Sequence, residues 1–348
     1  MRTDRPRMVG TEITRKCNLA CPHCGNAATR KALNELGTRE WFDVIDHLVD
    51  LGAEWMGWTG GEPLLRDDLE EIIRYAHARG ITRTGITTNG ILVTETRARS
   101  LQAAGVSVMQ ISIDGSTAER NREIRRATIE DFGAIMNGIR ACRAIGLRVD
   151  LAMLLSRTTL PDAVPFLQLA DRESVKQVRF CGFVPAGRGK GNAVMDRMMF
   201  NGSLGELKAF TEQAVCLEEP VAMFDPAVGP TPPAYEFHDC LAGVEMLYIS
   251  CVGDVYPCTS LIDRRFKVGN LRERTLASIW NDPKMTEIAR FPREQIHGYC
   301  RECEQFSVCR GACRGVTYSH TGDLYASFPV CLKRVATKAG QQSMSMPQ

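Results

Sequence analysis

Val9-Gly10-Thr11-Glu12-Ile13-Thr14-Arg15-Lys16-Cys17-Asn18-Leu19-Ala20-Cys21-Pro22-His23-Cys24 runs from a β-like segment into three cysteines spaced C-x3-C-x2-C. The apolar and β-branched residues of Val9–Thr14 predict a strand. Three thiolates on the tight loop that follows can hold three irons of a cubane cluster and leave the fourth iron open. An open iron can bind a cofactor or substrate, whereas a four-cysteine site is closed. Zinc is the competing reading, with His23 as a ligand. His23 lies between Cys21 and Cys24, too close to ligate easily alongside both.

Downstream, β-like runs alternate with helical patterns. Further strand candidates are Glu54–Thr59, Thr84–Thr88, Ser107–Ile113, Arg148–Leu155 and Gln177–Phe183. Between them, Trp41–Leu51, Asp67–Arg79, Asp131–Ile145 and Asp162–Ala170 carry apolar residues at helical spacing. Repeated β-then-α units predict an α/β fold with a parallel sheet and helices outside. Six units predict a partial (β/α)6 TIM barrel over residues 1–200, with functional residues at the C-terminal ends of the strands. Residues 201–235 read as one helix and a proline-rich linker, residues 236–338 as a small Cys-rich domain, and 339–348 as a disordered tail. So small a Cys-rich segment has little apolar core, so bound metal is expected to stabilise it.

Polar turns sit at the strand ends. Thr59-Gly60-Gly61-Glu62-Pro63 follows the second strand candidate, and Thr87-Thr88-Asn89-Gly90 ends the third. Ser112-Ile113-Asp114-Gly115 ends the fourth, and Val184-Pro185-Ala186-Gly187-Arg188 follows the sixth. Singly, each is ordinary turn chemistry. Together with C-x3-C-x2-C they resemble the radical S-adenosylmethionine (SAM) superfamily. The resemblance implies that the open iron beside Cys17, Cys21 and Cys24 chelates SAM. One electron then cleaves SAM to methionine and a 5′-deoxyadenosyl radical, which abstracts a substrate hydrogen. It implies that Glu62 accepts from the SAM ammonium, with the glycines letting backbone approach the ligand. Asn89, Ser112 and Asp114 would contact its ribose or methionyl part. Arg125, with Arg122 and Arg126 as rivals, would pair with its carboxylate. The 184–188 segment would line the adenine side, with Arg188 facing substrate.

A second cysteine field reads Cys240-x12-Gly253-x4-Cys258, then Cys300-x2-Cys303-x5-Cys309-x3-Cys313, then Cys331. It resembles the SPASM extension of radical SAM enzymes, although Cys300-x2-Cys303 alone would also fit a zinc ribbon. The resemblance implies two auxiliary [4Fe–4S] clusters, hence three in all. Cys240, Cys258 and Cys313 would hold the first; Cys300, Cys303, Cys309 and Cys331 the second. Relatives often take a fourth ligand for the first cluster from just upstream, but residues 233–239 contain no cysteine. Its fourth iron is then open or takes Cys216, Cys251, His238 or Asp239.

Composition bounds the rest. The 348 residues are 44% hydrophobic and 24% charged, with net charge +2, which gives no strong pull toward nucleic acid or membrane. No apolar run reaches spanning length, and the charged N-terminus lacks a signal-peptide core. A cytoplasmic protein is expected, where 14 cysteines point to metal or catalysis rather than disulfides. Cys142, Cys181, Cys216 and Cys251 fit no motif and read as small apolar residues.

The cluster loop begins at residue 17, without room before it for a peptide-recognition domain, so a small-molecule substrate is expected. Resemblance to antibiotic-pathway relatives suggests a sugar, nucleoside or aminocyclitol, with lyase or oxidoreductase chemistry. Uronate decarboxylation of the cytosylglucuronate type is the specific candidate, with Arg188 and Lys190 for the carboxylate. Maturation of a precursor peptide and non-catalytic electron transfer are the alternatives; the Glu62 motif argues against the latter. A flavodoxin- or ferredoxin-type electron donor is expected. Mössbauer spectra of a Cys17/Cys21/Cys24→Ala variant should show one auxiliary iron without a full thiolate set; two clusters with only four-thiolate irons would contradict this.

Overall fold

The computed structural model describes residues 4–156, 158–175, 177–191, 240–304 and 306–329. The six expected strands are present as β1 (Met8–Thr14), β2 (Trp55–Gly60), β3 (Arg83–Thr88), β4 (Val108–Ser112), β5 (Arg148–Leu155) and β6 (Gln177–Gly182). Each pairs in parallel with the next. Parallel neighbours need crossovers. Helices α1 (Thr38–Asp50), α2 (Leu69–Ala78), α3 (Glu95–Ala104), α4 (Ala118–Arg125), α5 (Ile129–Ala144) and α6 (Ala163–Arg172) lie along those crossovers.

Alternation along the strands separates two faces. Val9, Ile13, Met56, Trp58, Ile86, Met109, Ile111, Leu151 and Phe180 join one core with Trp41, Ile45, Leu48, Leu69, Ile72 and Leu101 of the helices. Each such side chain contributes about 1.5–3 kcal/mol when fully buried. The intervening positions form the inner face, where Gly57 and Gly85 leave room for the Trp55 ring. Glu12, Gln110, Asp150 and Arg179 are also inner-face residues, and all are buried.

The C-terminal segment does not stand apart from this sheet. β7 (Met246–Ile249) pairs in parallel with β1, and β8 (Asp254–Tyr256) and β9 (Gly269–Asn270) extend it antiparallel. The order is β6-β5-β4-β3-β2-β1-β7-β8-β9, so β6 and β9 are edges and the barrel is open. Three short helices follow: α7 (Leu276–Trp280), α8 (Phe306–Cys309) and α9 (Arg314–Thr321). No helix among the described residues is long and apolar enough to cross a membrane. The helix and linker read at 201–235 and the tail at 339–348 lie outside the described residues.

Trp58 is fully buried and meets Trp41 edge-on at 6.4 Å. Trp58→Ala should cost about 3–5 kcal/mol and lower the thermal midpoint by several degrees. Ile129→Ala, at a site 52% exposed, should change stability by less than about 0.5 kcal/mol. Circular dichroism melts of the two variants check the contrast.

Candidate functional site

The strand ends assemble one polar mouth. The loop after β1 carries Cys17, Cys21 and Cys24, which pack together with Leu19, Ile91 and Ala127. Burial pushes the Cys17 and Cys21 thiols up. The loop is tied at its base: Cys17 N donates to Thr29 O at 3.2 Å. Glu35 accepts from Arg15 N and Ala32 N, both at 2.8 Å, and from Thr14 Oγ1.

Glu62 closes the floor beneath this loop. It is fully buried. Its Oε1 accepts from Thr88 Oγ1 at 2.7 Å and Leu64 N at 3.1 Å, and its Oε2 from Asn89 N at 2.8 Å. Burial raises its pKa, against those three neutral donors. A carboxylate has about four acceptor positions, so one remains for a further donor. The two preceding glycines lie against the backbone of the cysteine loop. A Cβ on Gly60 would stand 2.3 Å from Thr14 O, and one on Gly61 2.3 Å from Lys16 O. Gly61 N and Glu62 N donate to those same carbonyls, each at 2.8 Å. Here glycine is required because β2's turn lies directly on the cluster loop's backbone.

Asn89 is also turned to the loop. Its Nδ2 donates to Asn18 Oδ1 at 2.7 Å, and its Oδ1 accepts from Ile91 N at 3.1 Å. Ser112 is half-buried at the end of β4. Asp114 is buried just after β4, where its Oδ1 accepts from Leu154 N at 2.6 Å and its Oδ2 from Arg125 Nη1 at 2.9 Å. Arg125 alone of the three candidate arginines turns inward; Arg122 and Arg126 are exposed. Burial opposes the Arg125 charge, but Asp114 and then Cys21 more than offset it, so its pKa is raised. Its Nε is buried without a hydrogen-bond partner among the described residues. His23 Nε2 lies 3.5 Å from Asp114 Oδ2, and burial pulls the imidazole down to about 4. The ring is therefore neutral near pH 7.

Arg188 does not face the mouth. Its Nε donates to Cys21 O at 2.9 Å and its Nη1 to Ala28 O at 3.0 Å. Two of its three guanidinium nitrogens are thus engaged by the backbone of the loop that carries the cysteines. Lys190 is exposed.

In the C-terminal field, Arg314 is buried near several cysteines. Burial presses its guanidinium pKa down, while Cys300, Cys313, Cys309 and Cys240 hold it up. It donates to Leu324 O, Ala326 O and Gly311 O. Phe328 N donates to Cys300 Sγ at 3.4 Å. Cys258 packs against the small core formed by Tyr248, Tyr256 and Leu261. Cys251 is fully buried beside Glu12, which accepts from its backbone N at 3.3 Å. Cys142 sits in the main core, its thiol pushed up to about 11 by burial. None of the twelve described cysteines forms a disulfide. Cys331 and three candidate fourth ligands, Cys216, His238 and Asp239, lie outside the described residues.

The family model of the radical SAM superfamily matches residues 11–170, and that of the SPASM iron–sulfur cluster-binding domain matches 240–304. The AdoMet-dependent heme synthase of Methanosarcina barkeri is 30% identical over 97% of this chain and 99% of its own. This chain belongs to the radical SAM superfamily. The mycofactocin maturase MftC of Mycobacterium ulcerans is 28% identical over 99% of this chain and 93% of its own. Streptococcus suis SuiB bound to its precursor peptide SuiA shares the fold, with TM-score 0.72 at 16% identity over 94% of this chain and 76% of that one.

Radical SAM and SPASM domains imply SAM and [4Fe–4S] clusters. The donor chemistry of Cys17, Cys21, Cys24, Glu62 and Arg125 suits them, while among the described residues no three His, Cys, Asp or Glu side chains gather closely enough to hold a single metal ion. Three thiols share one loop; among the described residues, a buried carboxylate has only neutral donors and a buried guanidinium nitrogen has no partner.

Four supporting residues escaped the sequence reading. Asn121 Oδ1 accepts from Asp114 N at 2.9 Å, and Glu35 holds the loop base. Glu12 is a charged residue inside an apolar strand, and Arg314 directly follows Cys313; those were their only sequence signals. Asp114→Ala would strand buried Arg125 and should cost about 3–5 kcal/mol. Asp114→Asn, which keeps an acceptor for Leu154 N, should cost less; thermal melts of the two proteins measure the difference.

Proposed function

We propose that this radical SAM enzyme removes a hydrogen atom from a small-molecule biosynthetic intermediate. Bound SAM, reductively cleaved at the cluster, supplies the 5′-deoxyadenosyl radical for that step. Cys17, Cys21 and Cys24 hold the SAM-binding cluster. Glu62 would receive the SAM ammonium, and Arg125, whose Nε has no partner among the described residues, would pair with the SAM carboxylate. Asp114 keeps Arg125 in place, while Asn89 and Ser112 complete the mouth. Cys240, Cys258 and Cys313, with Cys300, Cys303, Cys309 and Cys331, hold two auxiliary clusters around Arg314. The electron comes from a flavodoxin- or ferredoxin-type donor.

The observation carrying the catalytic reading is Glu62, a buried carboxylate whose hydrogen-bond partners are all neutral among the described residues. A cation beside it would relieve the cost of burying its charge. The small-molecule half rests on near-full-length kinship to an enzyme named for making heme. A uronate remains a candidate within that class, without Arg188 as its anchor. Kinship to MftC, named a maturase, and the fold shared with peptide-bound SuiB favour precursor-peptide modification as the second reading.

Anaerobic incubation with SAM and dithionite should yield 5′-deoxyadenosine. Glu62→Gln should weaken SAM binding by about 10–100-fold, the worth of one charge-assisted hydrogen bond, with iron content unchanged. Deuterated porphyrin precursors, uronate nucleosides and candidate peptides can then be compared. Transfer of deuterium into 5′-deoxyadenosine is expected from a small molecule; transfer from a peptide alone would reverse the substrate assignment.

A further inference from the structure

We propose that Arg188 is a positioning residue for the Cys17–Cys24 loop, holding its backbone and setting the reduction potential of the cluster it carries. This rests on the assignment of Cys17, Cys21 and Cys24 as cluster ligands. Residues 186–189 follow β6, the open edge of the barrel, yet they cross to the loop that leaves β1. Arg188 Nε reaches Cys21 O at 2.9 Å, Nη1 reaches Ala28 O at 3.0 Å, and the Arg188 backbone N reaches Cys24 O at 3.0 Å. One residue therefore takes the carbonyls of two of the three cysteines and the carbonyl at the loop's far side.

Gly187 makes the crossing possible. Its φ is +52°, and a Cβ there would stand 2.2 Å from Gly25 O and 2.6 Å from Cys24 O. Any other residue would push the segment off the loop. Gly189 lies close behind, where a Cβ would come within 3.4 Å of His23 O. The contact is thus continuous along the Cys21–Gly25 half of the loop.

Two consequences follow from elementary electrostatics. Carbonyls engaged by Arg188 cannot swing toward the ligands' negative charge. On the Cys17 side, Leu19 N already faces sulfur, 3.4 Å from Cys17 Sγ. Hydrogen bonding and net charge near a cluster set its potential. A fixed cation against the Cys21 backbone favours the more negative, reduced state of the cluster, so its removal makes reduction harder. A substrate-binding role is disfavoured because two of the three guanidinium nitrogens already donate to the loop.

EPR-monitored redox titration of the reconstituted full-length protein tests the proposal. The signal that changes on adding SAM reports the Cys17–Cys24 cluster; the signals that do not change report the auxiliary clusters and serve as internal controls. In Arg188→Gln, the SAM-responsive midpoint should move to more negative potential while the others stay. Arg188→Lys should recover most of the shift, since it restores the charge. If the Gln variant cannot hold that cluster, loss of its iron alone, reversed in Arg188→Lys, supports the same conclusion. An unchanged SAM-responsive midpoint, with or without a raised substrate KM, overturns the proposal, as does equal loss at every cluster. A wild-type protein with no SAM-responsive signal defeats the cluster assignment itself, before any variant is made.

Discussion

β1 is paired in parallel on both edges, with β2 on one side and β7 on the other. Everything else in the structure depends on that position. A strand with both edges satisfied is rigid and has no freedom of register. Its C-terminal end therefore delivers the cysteine loop to a fixed point. The β2 turn rests on that loop through Gly61 and Glu62, and β7 brings the C-terminal cysteine field into the same sheet. What reads in sequence as a barrel followed by an appendage is, at the level of hydrogen bonding, one nine-stranded sheet.

Around that frame, buried charges are placed where burial would otherwise be prohibitive. Glu62, the Asp114–Arg125 pair and Arg314 are each held by donors or acceptors from more than one segment. Such groups add little net stability and can cost some. Their value is positional. Asp114 links β4, α4 and β5 through Asn121, Arg125 and Leu154, and the His23 ring approaches it from the cysteine loop. Among the described residues, Glu62 has only neutral hydrogen-bond partners and Arg125 Nε has none. One carries a carboxylate and the other a guanidinium, each fixed in place by its neighbours.

The sheet was legible because parallel strands buried by helices read as apolar runs, as in Arg148–Leu155. α1 and α2 were legible because Trp41, Ile45, Leu48, Leu69, Ile72 and Ile73 recur at helical spacing. α3 and α4 were not named. α3 buries only Ala98, Leu101 and Ala104, and α4 only Asn121 and Ile124, so neither has a broad apolar stripe. Their signals were the capping threonines Thr94 and Thr117, which accept from Arg97 N and Arg120 N. At the site, cysteine spacing is a local pattern and could be read directly. Where Arg188 and the Gly60–Gly61 pair point is not local. It depends on which distant backbone carbonyl lies opposite, and no spacing rule encodes a contact across 167 residues. The β1–β7 pairing was invisible for the same reason, because nothing in Met246–Ile249 names its partner.

That pairing also orders events during synthesis. β1 is made first, but its second partner emerges more than two hundred residues later. At about 5–20 residues per second, the outer edge of β1 stays unpaired for roughly 10–50 s on the ribosome. An unpaired, apolar strand edge is a template for wrong partners. The strand that carries the reactive loop is thus the one that waits longest for its neighbour. Iron delivered before residues 246–249 arrive would meet a loop whose supporting strand is only half secured.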